Sequence, residues 1–488
     1  MNIADAKKQV ENTIIAYSAK DENGSYLLEP DEQRPLFLMG PPGIGKTAIV
    51  RQIAEERGLG FVSYSITHHT RQSALGLPKI VHKKFEETEY DVSEYTMSEI
   101  ISSIYDVIAE TGLKEGILFL DEVNCVSETL TPSMLQFLQF KMFGRHKVPE
   151  GWIIITAGNP VEYNRNAKEF DIVTWDRLKR IDIEPDFDAW KEYAYTTELH
   201  ASVITYLEAR KGNFYKAEST VDGKRFVTPR SWADLSRIIR VYEYLGIEVD
   251  LKLVEQYLQD KDIAEDFISY YDLYSKYKAD YRIQEILNGT EGSDIDHRAA
   301  SAPFDERLSL LGLLLDNTMA DIAAVIQKED ELKELVKLLR EVKQGTPIQE
   351  VTEHEEALLK RYLRMGVLSH EARLKYERVI SFLNKHSETN RFEEIKTDYD
   401  ALLSETRESA ASAKAKLDHL FDFLETVWGD SQEMVILVTE LTVSAYASRF
   451  IARYGSEKYQ KYSESLKLYE RKLEINRKGD LLWQNSTL

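Results

Sequence analysis

In the first part of the chain, stretches with apolar residues at helical spacing are separated by short runs of consecutive apolar residues. Helical spacing over residues 3–19 predicts an opening amphipathic helix, and similar spacing follows at 48–54, 97–110 and 134–140. The consecutive runs have the length and composition of strands buried on both faces. They lie at 36–39, 61–66, 117–120 and 152–157, with a shorter candidate strand at 181–183. Strands that alternate with helices predict a parallel sheet.

The pattern changes beyond Pro185, where helical spacing dominates. The segment Thr228-Pro229-Arg230-Ser231 predicts the start of one helix, and residues 288–303 have the glycine, serine and alanine content of a linker. After this stretch, apolar stripes at helical spacing recur near 332–342, 374–383, 417–427 and 434–451. The chain shows no exact internal repeat, which favours a helical bundle over a solenoid. Residues 79–97 are polar and charged with scattered aromatics, which indicates an insertion on the surface.

A glycine-rich segment joins the strand predicted at 36–39 to the helix that follows it. It consists of Gly40, Pro41, Pro42, Gly43, Ile44, Gly45, Lys46, Thr47 and Ala48. Backbone N–H groups in such a turn converge on one point, and the positive end of the helix dipole adds to their field, so polyphosphate binds there. In this arrangement Lys46 reaches the β- and γ-phosphates of ATP and the Thr47 hydroxyl ligates Mg²⁺. The alternative is a turn that only links strand to helix, but the full spacing and its context favour phosphate binding.

Polar residues follow two other predicted strands. Asp121 and Glu122 come directly after the run at 117–120, at the end of the strand where ligands bind in open α/β sheets. Asp121 is predicted to hold Mg²⁺ through water, and Glu122 to polarise the water that attacks the γ-phosphate. Asn159 follows the next strand and could reach the same phosphate. A solvated acid pair and an Asn-Pro turn are the structural alternatives, and the turn is compatible with the phosphate contact.

Composition limits the class of protein. The chain has 488 residues, which suggests about three domains. Its formal charge of −21 argues against a general nucleic-acid-binding surface. The single cysteine, Cys125, excludes an intrachain disulfide and a cysteine-only zinc site. The N-terminus lacks the apolar segment of a signal peptide, and no run of about 18 apolar residues predicts a membrane helix, so we expect a cytoplasmic protein with no membrane contact.

The order of these motifs resembles that of the AAA+ ATPases, and within them the MoxR-like branch. The resemblance covers roughly residues 30–245 and includes Gly76-Leu77-Pro78, Ala157-Gly158-Asn159-Pro160 and the segment Trp175 to Arg180. It implies an α/β P-loop core with helices on both faces of a parallel sheet and an all-α lid, and the apolar stripes past residue 303 add the prediction of an all-α C-terminal extension. The predicted boundaries are 1–185 for the core with its N-terminal helix, 186–287 for the lid, 288–303 for the linker and 304–488 for the bundle.

The resemblance also implies roles for three arginines. Arg177 would be an arginine finger that acts on the nucleotide of a neighbouring subunit, with Arg180 as the second choice. Without the resemblance, both belong to an ordinary surface charge run. Asn159 would be the first sensor residue and Arg230 the second, reaching the γ-phosphate from the lid. The turn from Phe143 to Val148 is shorter than the family's hairpin, which weakens any role in threading a substrate.

Three functions remain open at this level. The first is a ring-forming ATPase, hexameric or spiral, that remodels or matures a protein partner, with a von Willebrand A domain protein as a candidate partner. The second is a nucleotide-gated scaffold with slow hydrolysis, against which Glu122 argues. The third is a DNA-processing motor, against which the net charge argues.

Overall fold

The computed structural model describes residues 1–68, 76–86, 88–197, 199–220, 223–365, 368, 370–387 and 392–465. The chain divides into two compact units. The first comprises Met1–Trp190, Thr228–Arg230 and Thr352–Ser381, and the second Lys191–Val227, Ser231–Val351 and Phe382–Leu488. The predicted four-part division, with its boundaries near 185, 287 and 303, stays a prediction.

Strands and helices alternate through the first part of the chain, as the apolar pattern predicts. The strands are β1 (Leu36–Met39), β2 (Gly60–Ser65), β3 (Pro78–Phe85), β4 (Thr88–Tyr95), β5 (Gly116–Asp121), β6 (Met142–Phe143), β7 (His146–Lys147), β8 (Trp152–Gly158) and β9 (Lys179–Asp182). The helices are α1 (Ile3–Ser18), α2 (Lys46–Arg57), α3 (Glu99–Thr111), α4 (Thr131–Phe140), α5 (Ile172–Trp175) and α6 (Phe187–Thr196).

A parallel sheet forms the centre of the first unit. Within the described residues it has five strands in the order β2-β5-β8-β1-β9. Every residue of β8 is buried, and so are the first five of β5, which accounts for their unbroken apolar runs. Parallel pairing places Met39 beside Gly158 and Ser65 beside Asp121. The segments that follow β1, β5 and β8 therefore meet at one edge of the sheet.

The predicted surface insertion is an antiparallel hairpin of β3 and β4. It exposes large apolar side chains, among them Ile80, Phe85 and Tyr90. Near its base, Glu94 accepts a hydrogen bond from Arg145 in the turn between β6 and β7 (Nη1–Oε1 2.7 Å). Hydrogen bonding from Lys83, and then the charge of Arg145, holds the pKa of the Glu94 carboxyl below its usual value. The two hairpins are thus joined by a charged cluster.

The rest of the chain is mostly helical. Its helices are α7 (Ala201–Ala209), α8 (Pro229–Leu245), α9 (Leu251–Tyr257), α10 (Lys261–Asp280), α11 (Ile283–Leu287), α12 (Ser293–Ser301), α13 (Phe304–Lys343), α14 (Ile348–Met365), α15 (His370–Lys385), α16 (Phe392–Val427), α17 (Gln432–Val443) and α18 (Ala445–Tyr454). Two strands, β10 (Lys216–Thr220) and β11 (Gly223–Val227), form an antiparallel hairpin.

Helix α13 is the central element of the second unit and packs against α7, α10, α16 and α18. Its Ile322 and Ile326 share a buried cluster with Ala410, Ala413 and Phe450. An 18-residue window of this helix has a mean hydropathy of 1.5, enough in length and composition to cross a membrane, although the sequence pattern predicted no such window. Because 67% of the window is buried inside the protein, its packing is that of a core helix. A second candidate span among the described residues would need α17 and α18 together, which are bent by 91°.

Two local expectations differ from the structure. The stretch predicted as an all-α lid contains the β10–β11 hairpin, whose polar strands lack the alternating apolar pattern that marks a half-buried sheet. The stretch predicted as a linker contains α12, whose Ile295 and Ala299 are buried. In addition, the Trp428 indole donates a hydrogen bond to the Ala299 carbonyl (2.9 Å). Because most residues in 288–303 are small or polar, the sequence shows no apolar stripe that would predict this helix.

Candidate nucleotide-binding site

The phosphate loop takes the backbone course that its glycines allow. Gly43 and Gly45 have φ values of +78° and +100°, in the left-handed region that favours glycine. A Cβ at Gly43 would lie 2.8 Å from Thr228 Oγ1, so a larger residue would also collide there. Helix α2 begins directly after Gly45 with Lys46. Ala48 is exposed and lies in the first turn of this helix, where N–H groups have no partner within the helix. Backbone donors and the positive helix end thus face one space, which fits a polyphosphate.

Lys46 is buried, with 8% of its surface exposed. Its ammonium donates hydrogen bonds to the carbonyls of Gly40 and Pro41, both at 2.8 Å, and to Asn159 Oδ1 at 2.9 Å. Burial lowers the pKa of Lys46 to about 8. The negative charge of Asp121 opposes this shift, and the positive charge of Arg230 adds to it. A buried cation in this position fits an anionic ligand, because phosphate charge compensates the cost of desolvation.

Thr47, Asp121 and Glu122 lie together where α2 starts and β5 ends. The Thr47 hydroxyl donates to Asp121 Oδ2 at 3.0 Å, and the Glu122 N–H donates to Asp121 Oδ1 at 2.9 Å. Both oxygens of the Asp121 carboxylate are therefore oriented. One hydroxyl and one carboxylate suit Mg²⁺, which keeps several water ligands and needs few from protein. Among the described residues, no group of three or more His, Cys, Asp and Glu side chains could hold a metal ion.

Glu122 has a backbone conformation that is uncommon outside glycine, with φ of +55°. Its carboxylate accepts hydrogen bonds from Thr67 Oγ1 at 3.1 Å and from Ser65 Oγ at 3.4 Å. Sequence reasoning did not single out these two hydroxyls. Their position at the end of the strand predicted at 61–66 could have indicated this contact, because β2 pairs with β5 and places Ser65 beside Asp121.

Asn159 directs its side chain towards Lys46 and its backbone towards the acid pair's loop. The Asn159 carbonyl accepts a hydrogen bond from Asn124 Nδ2 at 2.8 Å. Asn124 is 2% exposed and lies two residues after Glu122. Its importance was also missed, because a lone asparagine between apolar residues carries no spacing signal.

Arg230, which stays a prediction as the second sensor residue, has its backbone beside the phosphate loop. Its backbone N–H donates to the Gly43 carbonyl at 3.2 Å, and Arg230 contributes to the lowered pKa of Lys46. Pro229 is the first residue of α8, which confirms the helix start predicted there. Lys46, Thr47, Asp121, Glu122 and Asn159 therefore lie at one edge of the sheet, and the backbone of Arg230 lies beside the phosphate loop there.

Arg177 and Arg180 lie elsewhere. Strand β9 runs parallel to β1, with Lys179 beside Leu36 and Asp182 beside Met39. Arg177 therefore precedes the sheet edge opposite the phosphate loop. The Arg180 side chain is engaged by Asp182 (Nε–Oδ1 2.8 Å) and lies 4.6 Å from the Trp175 ring centroid. Within the described residues, the exposed Arg177 guanidinium forms no hydrogen bond or ion pair.

The parallel five-stranded sheet, its helices and the phosphate loop form a P-loop fold of the AAA+ type. Residues 36–172 match the model of the ATPase family associated with various cellular activities (AAA). Among solved structures, the chain is similar to a mutant of RuvB from Thermotoga maritima, with 15% identity and a TM-score of 0.29 over 58% of this chain and 78% of that one. No curated protein matches the chain.

Proposed function

We propose that the chain hydrolyses ATP in a Mg²⁺-dependent reaction. The observation that carries this proposal is the convergence of Lys46, Thr47, Asp121, Glu122 and Asn159 at one sheet edge, beside a loop that is shaped for phosphate. Lys46 would bind the β- and γ-phosphates, and Glu122 would take a proton from the attacking water. Mg²⁺ held by Thr47 and, through water, by Asp121 would neutralise charge on the phosphate oxygens.

Two substitutions separate nucleotide binding from hydrolysis. Lys46→Ala is expected to abolish nucleotide binding, because it removes the cation that faces the phosphates. Glu122→Gln is expected to retain binding while lowering the hydrolysis rate by about 10²–10⁴-fold, the usual contribution of a general base. Glu128→Gln is the matched control, since the Glu128 side chain is 91% exposed. Equal steady-state rates for wild type and Glu122→Gln would refute the assignment.

We also propose that Arg177 completes the site of a neighbouring subunit. Its position at the opposite edge of the sheet prevents contact with the phosphate loop of its own chain. Since Arg180 is engaged by Asp182 and Trp175, Arg177 is the better candidate for the finger. Such a contact is head-to-tail and repeats into a ring or a spiral. Six subunits is the number that the MoxR-like resemblance implies.

A mixing experiment tests this assembly. Arg177→Ala and Lys46→Ala should each be inactive alone, because an arginine finger contributes about 10³–10⁵ in rate. Mixed oligomers would contain interfaces that pair an intact phosphate loop with an intact Arg177, so mixing should restore part of the activity. If native mass spectrometry detects mixed oligomers and hydrolysis stays absent, Arg177 does not act across the interface.

Finally, we propose that hydrolysis drives remodelling or maturation of a protein partner, as in MoxR-like ATPases. The motifs Gly76-Leu77-Pro78 and Ala157-Gly158-Asn159-Pro160 support this branch, and the exposed β3–β4 hairpin offers apolar side chains to a partner. A von Willebrand A domain protein is the candidate. Glu122→Gln with ATP should retain a partner that Lys46→Ala does not. Recovery of nucleic acid instead of protein would overturn this role.

A further inference from the structure

We infer that Asn124 is a positioning residue that joins the acid pair's loop to Asn159, an inference that rests on the proposed ATP hydrolysis. Asn124 lies in the short helical turn Val123–Cys125, directly after Glu122. It is almost completely buried. Its Nδ2 and its backbone carbonyl form hydrogen bonds with the segment that follows β8.

The contacts of Asn124 connect three segments. Its Nδ2 donates to the Asn159 carbonyl at 2.8 Å, and its own carbonyl accepts from the Lys168 N–H, also at 2.8 Å. A Cβ at Gly158 would lie 2.5 Å from Asn124 Oδ1, so the backbone of β8 approaches the amide as closely as glycine allows. This position therefore has a defined shape as well as a defined hydrogen bond.

The neighbouring cysteine supports the orientation of the amide. Cys125 Sγ lies 3.8 Å from Asn124 Oδ1, and Asn164 Nδ2 donates to the same sulfur at 3.2 Å. The thiol can then donate towards Oδ1 while Nδ2 points to the Asn159 carbonyl. Burial, and then the charges of Glu122 and Asp121, raise the pKa of the Cys125 thiol, which keeps its proton available for this contact.

These hydrogen bonds connect the loop of the proposed general base to the lysine that is proposed to bind phosphate. Asn124 follows the proposed base, Glu122, and holds the backbone of Asn159. In turn, Asn159 Oδ1 accepts from the Lys46 ammonium at 2.9 Å. A shift of the Asn159 backbone would move the Asn159 side chain, which accepts the hydrogen bond from Lys46 and is proposed to face the γ-phosphate. The phosphate loop would keep its own glycines and carbonyl contacts.

Asn124→Leu tests this role, because leucine has a similar volume and no hydrogen-bond donor. We expect kcat to fall about tenfold, a change equivalent to about 1.4 kcal/mol. The dissociation constant of ADP at pH 7 should change less than threefold, because the phosphate loop and Lys46 remain. Asn166→Leu is the matched control, since it makes the same substitution at an exposed asparagine in the segment that follows β8. Circular dichroism should show equal folded content for all three proteins.

A second measurement does not depend on turnover. In the proposed complex the Asn159 side chain faces the γ-phosphate, which a non-hydrolysable ATP analogue carries and ADP lacks. The affinity for this analogue relative to the affinity for ADP should therefore fall in Asn124→Leu and stay unchanged in Asn166→Leu. If the wild type binds ADP without hydrolysing ATP and the relative affinity still falls, the proposed hydrolysis fails and the positioning role stands. If the wild type hydrolyses ATP and Asn124→Leu, although folded, changes neither kcat nor the relative affinity, the positioning role is overturned. A lower kcat with an unchanged relative affinity also overturns it, because the effect would then bypass Asn159.

Discussion

The Thr47 hydroxyl donates a hydrogen bond to Asp121 Oδ2 across 3.0 Å, although 74 residues separate them in the chain. This contact joins the first turn of α2 to the end of β5. Because the second oxygen of Asp121 is held by the Glu122 N–H, the carboxylate has little freedom to turn. The two proposed Mg²⁺ ligands are thus oriented by each other and by the backbone of the proposed base.

Thr47→Val should weaken the response to Mg²⁺. Valine has the same branched shape but lacks the hydroxyl, so it removes a metal ligand and the orienting bond to Asp121. We expect the Mg²⁺ concentration for half-maximal hydrolysis to rise about tenfold or more, as for loss of an outer partner or a ligand in metal sites. Thr47→Ser keeps the hydroxyl and should respond like wild type. Identical Mg²⁺ titrations for the serine and valine variants would contradict the ligand assignment.

Nucleotide affinity should fall as the pH rises through about 8. The pKa of Lys46 lies near this value because burial disfavours its charged form. Below pH 8 the ammonium is charged and binds phosphate; above it, the neutral amine does not, so affinity should fall by up to about tenfold for each pH unit. Lys46→Arg is the control, since its guanidinium stays charged. If this variant binds ADP with the same pH profile as wild type, Lys46 is not the titrating group.

In the second unit, Gly312→Ala should destabilise the protein through one specific collision. A Cβ on α13 at this position would overlap Thr205 Cγ2 on α7. Overpacking of this kind costs about 1–3 kcal/mol, which outweighs the gain of about 1 kcal/mol from replacing glycine in a helix. Urea unfolding followed by circular dichroism measures the difference.

Thr205→Ser removes the methyl group with which the new Cβ would collide. It removes only Cγ2 and retains the hydroxyl, which donates to the Ala201 carbonyl and accepts from the Tyr270 hydroxyl, both at 2.8 Å. In this background Gly312→Ala should be neutral or stabilising by up to about 1 kcal/mol, because only the propensity gain remains. Equal effects of Gly312→Ala in both backgrounds would show that the two side chains do not collide.

The sequence predicted the parts of the site whose signals are local. The phosphate loop and the acid pair are short segments at strand ends, and parallel pairing brings such ends together by itself. The roles of Thr67 and Asn124 depend on which strands are neighbours in the sheet. No local sequence pattern predicts the order of five strands, so these two residues were missed. Similarly, the composition of residues 288–303 predicts a linker where the structure has α12, because only two residues of this helix are buried and they leave no apolar stripe.

Substitution of Arg180 should leave hydrolysis almost intact and lower stability slightly, in contrast to Arg177. The Arg180 guanidinium is half-exposed, pairs with Asp182 at 2.8 Å and lies over the Trp175 ring. Exposed ion pairs and cation–π contacts each contribute about 1 kcal/mol or less, so Arg180→Ala should cost no more than about 2 kcal/mol in the free energy of unfolding. Its rate of ATP hydrolysis should stay within about threefold of wild type, while Arg177→Ala should lose about 10³-fold or more.

Asp182→Asn separates the two contributions of the Arg180 side chain. This variant removes the charge partner and leaves the stacking on Trp175, so it should lose part of the stability lost in Arg180→Ala and none of the hydrolysis. The comparison is made at equal oligomer content, measured by size-exclusion chromatography with light scattering. If Arg180→Ala abolishes hydrolysis while Asp182→Asn and Arg177→Ala remain active, the guanidinium of Arg180 leaves Asp182 to act on the neighbouring nucleotide, and Arg180 is the finger.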